Sequence, residues 1–149
     1  MKRSSFIRKV FITKSYSETQ KLGYSFAKVL KKGDVICLYG ELGSGKTTFI
    51  QGLAKGLGIK NRIISPTFIM VRNYKLKALN FYHLDLYRAE GKEAIEGLGI
   101  NEITNNMNNI VAIEWAEKLE SYLPEKRIDI KFYYQGGNAR KIVFRSLNQ

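Results

Sequence analysis

The sequence is poor in several residues that would have narrowed its chemistry. It has one cysteine, one histidine, one tryptophan and two prolines, and 13 acids against 25 bases. The single cysteine, Cys37, lies in the apolar run VICLY, which excludes a disulfide framework and fits a reducing compartment. No partner base is spaced around it, so Cys37 reads as core and not as a nucleophile. One histidine, His83, and one cysteine do not make a zinc site. No apolar stretch reaches the roughly 18 residues of a membrane span. The start, MKRSSFIRKVFITKS, lacks a long apolar region and a small-residue cleavage site, so no signal peptide is read and a cytoplasmic protein is expected. No asparagine-lysine-x-aspartate stretch is present to read guanine, which argues against a GTPase. The shortage of acids leaves a net charge of +12. That favours anionic partners such as nucleic acid, nucleotide or an acidic protein face; a lysine-rich habit serving solubility is the plainer alternative.

What is present suits a soluble α/β chain. Apolar residues make up 44% and charged residues 26% of the 149, and the length predicts a single domain, 1–149. Phe6 to Thr13 alternates as a first strand. A helix follows, capped by Ser17 with Gln20 in the reciprocal position, and Leu22, Phe26, Val29 and Leu30 share one face. Val35 to Tyr39 is a strand, and a second helix starts near Lys46 with Phe49, Ile50, Leu53 and Leu57. Gly52 lies inside it, where close packing against the sheet is one reason for a glycine. Phe68–Tyr74 and Leu79–Leu86 are expected to pair antiparallel across KLKA. Lys92–Leu98 is a weak helix, and NEITNNMNN reads as surface. Ile110–Ile113 has the apolar character of a strand covered on both faces. WAEKLESYLPE is a short helix stopped by Pro124, and Arg127–Tyr134 and Lys141–Ser146 form a hairpin through QGGN.

The richest signal is LYGELGSGKTTFI, residues 38–50. It contains G-x-x-x-x-G-K-[ST] as Gly40, Glu41, Leu42, Gly43, Ser44, Gly45, Lys46 and Thr47, with a strand before and a helix after. Glycines let the backbone wrap closely and turn its N–H groups inward, and the helix start favours an anion. In such loops the lysine reaches the β and γ phosphates and the hydroxyl faces Mg²⁺, so ATP and Mg²⁺ are the expected ligands. Thr48 extends the nucleotide-binding segment.

A triphosphate site also needs acids. Glu114 ends an apolar strand in NNIVAIEWAE, where such sheets present ligand-facing residues. It can hold the metal, polarise the attacking water, or both; Glu117 is the rival, and a helix-starting acid is the plain reading. Asp85 lies in LNFYHLDLYRAE, where burying it unpaired is costly. It is either a metal or water ligand or the partner of a cation such as Arg88. His83 reads as structural, with orienting Asp85 as its alternative role. Thr67 in SPTF is a switch-like threonine or part of a simple turn. Arg88 contacts phosphate or pairs with Asp85 or Glu90. Trp115 packs in the core, over the site or against a partner.

Two other functions compete. Small-molecule kinases also use a phosphate loop, but they place several arginines over the transferring group, and arginines are few near these motifs. A nucleic-acid-binding module is the other. Lys2, Arg3, Arg8, Lys9, Lys126, Arg127, Lys131, Arg140, Lys141 and Arg145 cluster in the terminal strands as a basic face or as ordinary solvated edges.

Taken in order, SETQKLG, GDVICLYGELGSGKTTFIQGLAKGLGI, SPTF, YHLDLYR and IEWAE resemble the tRNA threonylcarbamoyladenosine biosynthesis ATPase family, the TsaE or YjeE type, over about residues 15–117. Ser44 and Ala116 stand where alanine and proline are common. The resemblance implies a P-loop nucleotide hydrolase fold, a single mixed sheet flanked by helices with C-terminal antiparallel strands. It implies Lys46 on phosphate, Thr47 on Mg²⁺, Thr67 in a switch-like loop, and Asp85 and Glu114 as the acidic site residues. Glu18 and Thr19 fall near the nucleotide, and Trp115 near the site or a partner. It also implies an ATPase, weak alone, that binds and resets a two-subunit threonylcarbamoyl transferase acting on adenosine 37 of tRNA. A tRNA contact through the basic face is a further expectation.

Overall fold

The computed structural model describes residues 8–64 and 70–147. Its frame is a seven-stranded sheet. Chain order gives β1 (Arg8–Thr13), α1 (Tyr16–Ala27), β2 (Val35–Tyr39), α2 (Lys46–Gly56), β3 (Val71–Lys75), β4 (Asn80–Asp85), α3 (Gly91–Glu96), α4 (Ile100–Asn105), β5 (Asn109–Glu114), a 3₁₀ segment (Ala116–Tyr122), β6 (Arg127–Tyr134) and β7 (Arg140–Leu147). Across the sheet the order is β1-β7-β6-β2-β5-β4-β3. The central pairs β2–β6, β2–β5 and β4–β5 are parallel, while β1–β7, β6–β7 and β3–β4 are antiparallel. The mixed sheet and its antiparallel C-terminal strands are those expected.

Continuous apolar runs produce the parallel centre because both faces are covered. Ile36 and Leu38 of β2 face α1 and α2, among Phe26, Phe49 and Leu53. Val35 and Cys37 face the other way, among Leu84, Ile113 and Leu119. Burial pushes the Cys37 thiol up to about 12, helped by nearby Asp129, so the thiol is inert core. Phe26, Phe49 and Phe144 meet at centroid separations of 5.0–5.8 Å. Such ring pairs are worth about 0.5–1.5 kcal/mol each beyond area burial.

Three local readings are corrected. The cap of α1 is Ser15, not Ser17: Ser15 is extended (φ −152°, ψ 165°) and its hydroxyl accepts from the Glu18 amide at 3.1 Å. The Glu18 carboxylate accepts in return from the Lys14 amide, and Gln20 instead donates to Gln51 of α2 at 3.0 Å. Gly52 packs against α1, not the sheet. A Cβ there would lie 1.9 Å from the Gln20 carbonyl oxygen, and one on Gly23 2.2 Å from that of Phe49. The two helices therefore touch backbone to backbone. NEITNNMNN is surface except at its end: residues 101–108 are exposed or half-buried, but 101–105 continue a helix from Ile100, and Asn109 is buried with its amide on the Ile103 carbonyl at 2.9 Å.

The segment after β5 is 3₁₀, with Trp115 (φ 57°) and Glu120 (φ 49°) in the left-handed region. SPTF, and Thr67 with it, lies outside the described residues. Among the described residues no helix is long and apolar enough to cross a membrane. The parallel register sets Leu38 and Asp85 on either side of Glu114, so β2, β5 and β4 end together at one edge.

Gly52→Ala is expected to lower stability by about 1–3 kcal/mol through overpacking. It does so although alanine is the better helix former by about 1 kcal/mol. Urea unfolding with an unchanged midpoint would contradict the close approach of the two helices.

Candidate functional site

The loop after β2 bends back into α2 through glycines that hold conformations costly to other residues. Gly40, Gly43 and Gly45 have φ of 151°, 73° and 107°. Gly45 is the N-cap of α2 and offers no side-chain cap, so the first helical amides face the loop's concavity. A Cβ on Gly40 would meet the Ser44 hydroxyl at 2.6 Å. That hydroxyl is buried and has no hydrogen-bond partner among the described residues.

Lys46, the first residue of α2, is 4% exposed. Its ammonium donates to the Gly40 carbonyl and, at 3.0 Å, to that of Glu41. It also lies 4.5 Å from the centre of the Trp115 ring. Burial lowers the Lys46 pKa, opposed by the negative charges of Glu114, Glu117, Asp85 and Glu41. The left-handed turn at Trp115 puts its ring there, packed on Tyr87 at 5.1 Å.

The acids converge at the ends of β4 and β5. The Thr47 hydroxyl lies 3.0 and 3.2 Å from the two carboxylate oxygens of Glu114. His83 Nε2 lies 2.7 Å from the same carboxylate. Glu114, at 3% exposure, is thus held between a helix hydroxyl and a fully buried imidazole. His83 orients Glu114, not Asp85, because parallel β4 and β5 bring that pair together. Asp85, also 3% exposed, accepts from the Tyr87 amide at 3.0 Å. Thr47, Glu114 and Asp85 offer hard oxygen donors to one side of the loop. Such a set suits a Mg²⁺-like cation that completes its shell with phosphate oxygens and water. Among the described residues no group of three or more His, Cys, Asp or Glu forms an all-protein metal cage.

A cavity of about 380 Å³ collects Leu42 through Thr48, Asp85, Glu114 and Trp115, with Tyr16 and Tyr87 at its border. Other candidates fall elsewhere. Arg88 is exposed and does not line this cavity. Glu41 is exposed on the loop. Glu18 is engaged in the α1 cap, and the Thr19 hydroxyl is 2.8 Å from that of Thr13. Thr19 nevertheless stands beside the loop, its methyl 3.8 Å from where a Gly45 Cβ would be.

The residues that sequence reasoning missed hold the loop from behind. Arg140, at the start of β7, belongs to no basic face: it is 4% exposed. Its guanidinium donates to the carbonyls of Ser44 and Gly43, each at 3.0 Å, and to those of Gly137 and Ala139, each at 2.8 Å. It stacks 4.5 Å from the ring centre of Tyr134, whose hydroxyl donates to the Leu42 carbonyl at 2.7 Å. Three consecutive loop carbonyls are therefore fixed by the β6–β7 hairpin. A planar fork suits that task where an ammonium does not.

A parallel-centred sheet with this loop at the end of β2 and acids at the ends of β4 and β5 is the architecture of the P-loop nucleotide hydrolases. The family model "Threonylcarbamoyl adenosine biosynthesis protein TsaE" matches residues 13–142, and the chain belongs to that family. It is 38% identical over 130 residues to the tRNA threonylcarbamoyladenosine biosynthesis protein TsaE of Bacillus subtilis, covering 87% of this chain and 80% of that one. The protein of the same name from Nostoc sp. is 38% identical over 148 residues, covering 94% and 86%. A crystal structure of Bacillus subtilus YdiB superposes with a TM-score of 0.80 at 33% identity, covering 96% of this chain and 88% of that one.

Arg140→Lys keeps the charge but loses the fork. Hydrogen exchange at the Ser44 and Phe49 amides is expected to speed up by about tenfold or more, a local loss of about 1.4 kcal/mol. Exchange in β2 and β5 should not change. Unaltered loop exchange would show that the guanidinium does not hold the loop.

Proposed function

We propose that this chain is a Mg²⁺-dependent ATPase that serves tRNA threonylcarbamoyladenosine formation by binding and resetting a two-subunit threonylcarbamoyl transferase. The observation that carries the chemistry is the single cluster of Lys46, Thr47, Glu114 and Asp85 at the mouth of the phosphate loop. Family membership supports the pathway, since the relatives carry that process in their names.

Inward amides of the loop and the Lys46 ammonium stabilise charge that develops on the γ-phosphate. Lys46 would leave the Gly40 and Glu41 carbonyls for the phosphate oxygens, and an anion there offsets the burial that lowers its pKa. Thr47, Glu114 and Asp85 are the residues that would hold Mg²⁺, which supplies charge neutralisation on the phosphates when bound. Glu114 is assigned to the metal side because its carboxylate already binds the Thr47 hydroxyl. His83 fixes that carboxylate's orientation. Asp85, one strand away and fixed by the Tyr87 amide, orders the attacking water. Trp115 screens the reacting groups from bulk water, and its backbone turn offers a place where a partner reaches the site. The switch-like role is assigned to Thr67, which lies outside the described residues.

Turnover in the presence of the transferase pair, tRNA and ATP tests this reading. Lys46→Ala should abolish ATP hydrolysis and repeated rounds of tRNA modification; normal modification would remove the motor role. Glu114→Gln should keep ATP bound, slow hydrolysis by about 10²-fold or more, and raise the Mg²⁺ concentration needed. Asp85→Asn should lower kcat with the Mg²⁺ requirement unchanged. The opposite pattern would exchange the two assignments. Phosphate transfer to a small acceptor without the partner would identify a kinase instead.

A further inference from the structure

The helices leave one part of the sheet open. On β1, β7 and β6 the inward row packs on α1 and α2 through Phe11, Ile142, Phe144, Ile128, Ile130 and Phe132. The outward row does not enter the core. Register places Arg8 beside Arg145 and Asp129, then Val10 beside Val143 and Lys131, then Ile12 beside Lys141 and Tyr133. A shallow cavity of about 460 Å³ runs over this surface, lined by Arg8, Lys131, Lys141 and Arg145. Its one lining acid, Asp129, is already engaged by Arg127 at 2.9 Å and by the Tyr39 hydroxyl at 3.0 Å.

The structure therefore redraws the basic face expected from sequence. Arg140 points inward to the loop, Arg127 is paired, and Lys9 shares the inward parity of Phe11 and Thr13. Lys2 and Arg3 lie outside the described residues. Lys126 precedes β6 and does not line the cavity. Arg8, Lys131, Lys141 and Arg145 remain together on a surface that nothing covers among the described residues. Arg145 and Lys141 are separated by about 13 Å along β7, four strand residues. Tyr133 stands among them, 47% exposed, with the Lys141 ammonium 6.0 Å from its ring centre.

We propose that this open face of β1, β7 and β6 binds the phosphodiester backbone of an RNA. Charge complementarity selects the occupant. Cations spread over a flat sheet with an exposed aromatic ring suit a regularly charged chain carrying stackable bases. Val10 and Ile12, 43% and 54% exposed, add an apolar stripe among the cations on which bases can also pack. The assignment rests on the reading of this chain as a tRNA-modification protein, and it adds a contact outside the nucleotide site. The same hairpin that carries Tyr133 and Lys141 outward carries Arg140 inward to the phosphate loop.

The test is binding of an unmodified tRNA transcript to the full chain between 50 and 200 mM KCl, followed by fluorescence anisotropy. Two variants of equal charge are compared. One carries Lys131→Gln, Lys141→Gln and Arg145→Gln. The other carries Lys21→Gln, Lys55→Gln and Lys60→Gln on the helical side, all exposed. The face variant is expected to bind about tenfold or more weakly, with the slope of log affinity against log salt reduced by about 2–3. Each of its exchanges made singly should reduce the slope by about 1. The helical variant should change the slope by less than 1. Equal losses in both variants would show diffuse attraction and overturn the proposal. So would salt-insensitive or undetectable binding by the unaltered chain. A face variant that binds tRNA normally but no longer binds the transferase pair would make this a protein-docking surface instead. MgATP affinity, measured in parallel, is expected to be the same in all three chains. Its absence from the unaltered chain would sink the ATPase reading and leave the RNA face standing.

Discussion

The carbonyl oxygens of Leu42, Gly43 and Ser44 are held from outside the loop, and the site depends on that grip. A phosphate loop presents amides to an anion only if its carbonyls are turned away and satisfied elsewhere. Here Tyr134 and Arg140 satisfy them, from a hairpin more than 90 residues away in sequence. Arg140 is a buried cation, yet its donors are spent on backbone oxygens, so its charge is stabilised by aligned dipoles. That charge also adds to the positive field of Lys46 and the start of α2. Loop shape and anion attraction thus share one source.

The rest of the architecture serves the same bend. α1 and α2 lie so close that only glycine fits at positions 23 and 52, which locks α2 and the loop entering it. Parallel pairing of β4, β2 and β5 brings Asp85 and Glu114 to the loop without any long connection. His83 and Thr47 then fix the Glu114 carboxylate from opposite sides. This is a preorganised arrangement, with oriented groups in a place largely shielded from water.

How much could be read from the residues follows from how local each constraint is. The phosphate loop was legible because eight contiguous positions carry it. Glu114 stood out because it ends an apolar strand, and Asp85 because an acid inside an apolar run needs a partner when buried. Arg140 was not, because it adjoins Lys141 and resembles one more surface base. Its strand parity with Ile142 and Phe144 was the available signal, since a period of two places all three on the buried face. The cap was misplaced because S-Y-S-E and S-E-T-Q overlap, and both fit a capping box. The helix at Ile100–Asn105 was hidden by asparagines that favour turns in isolation. Tertiary burial of Ile100 outweighed that preference. The Thr47–Glu114–His83 contact depended on strand order, which no local pattern specifies.

Titration of the intact chain with ATP, with and without Mg²⁺, tests most directly that this loop holds a metal-bound triphosphate. The geometry predicts one ATP per chain, bound more tightly with Mg²⁺ and lost when Lys46 is replaced. A folded chain that takes up no ATP with Mg²⁺, even beside the transferase pair, would contradict it.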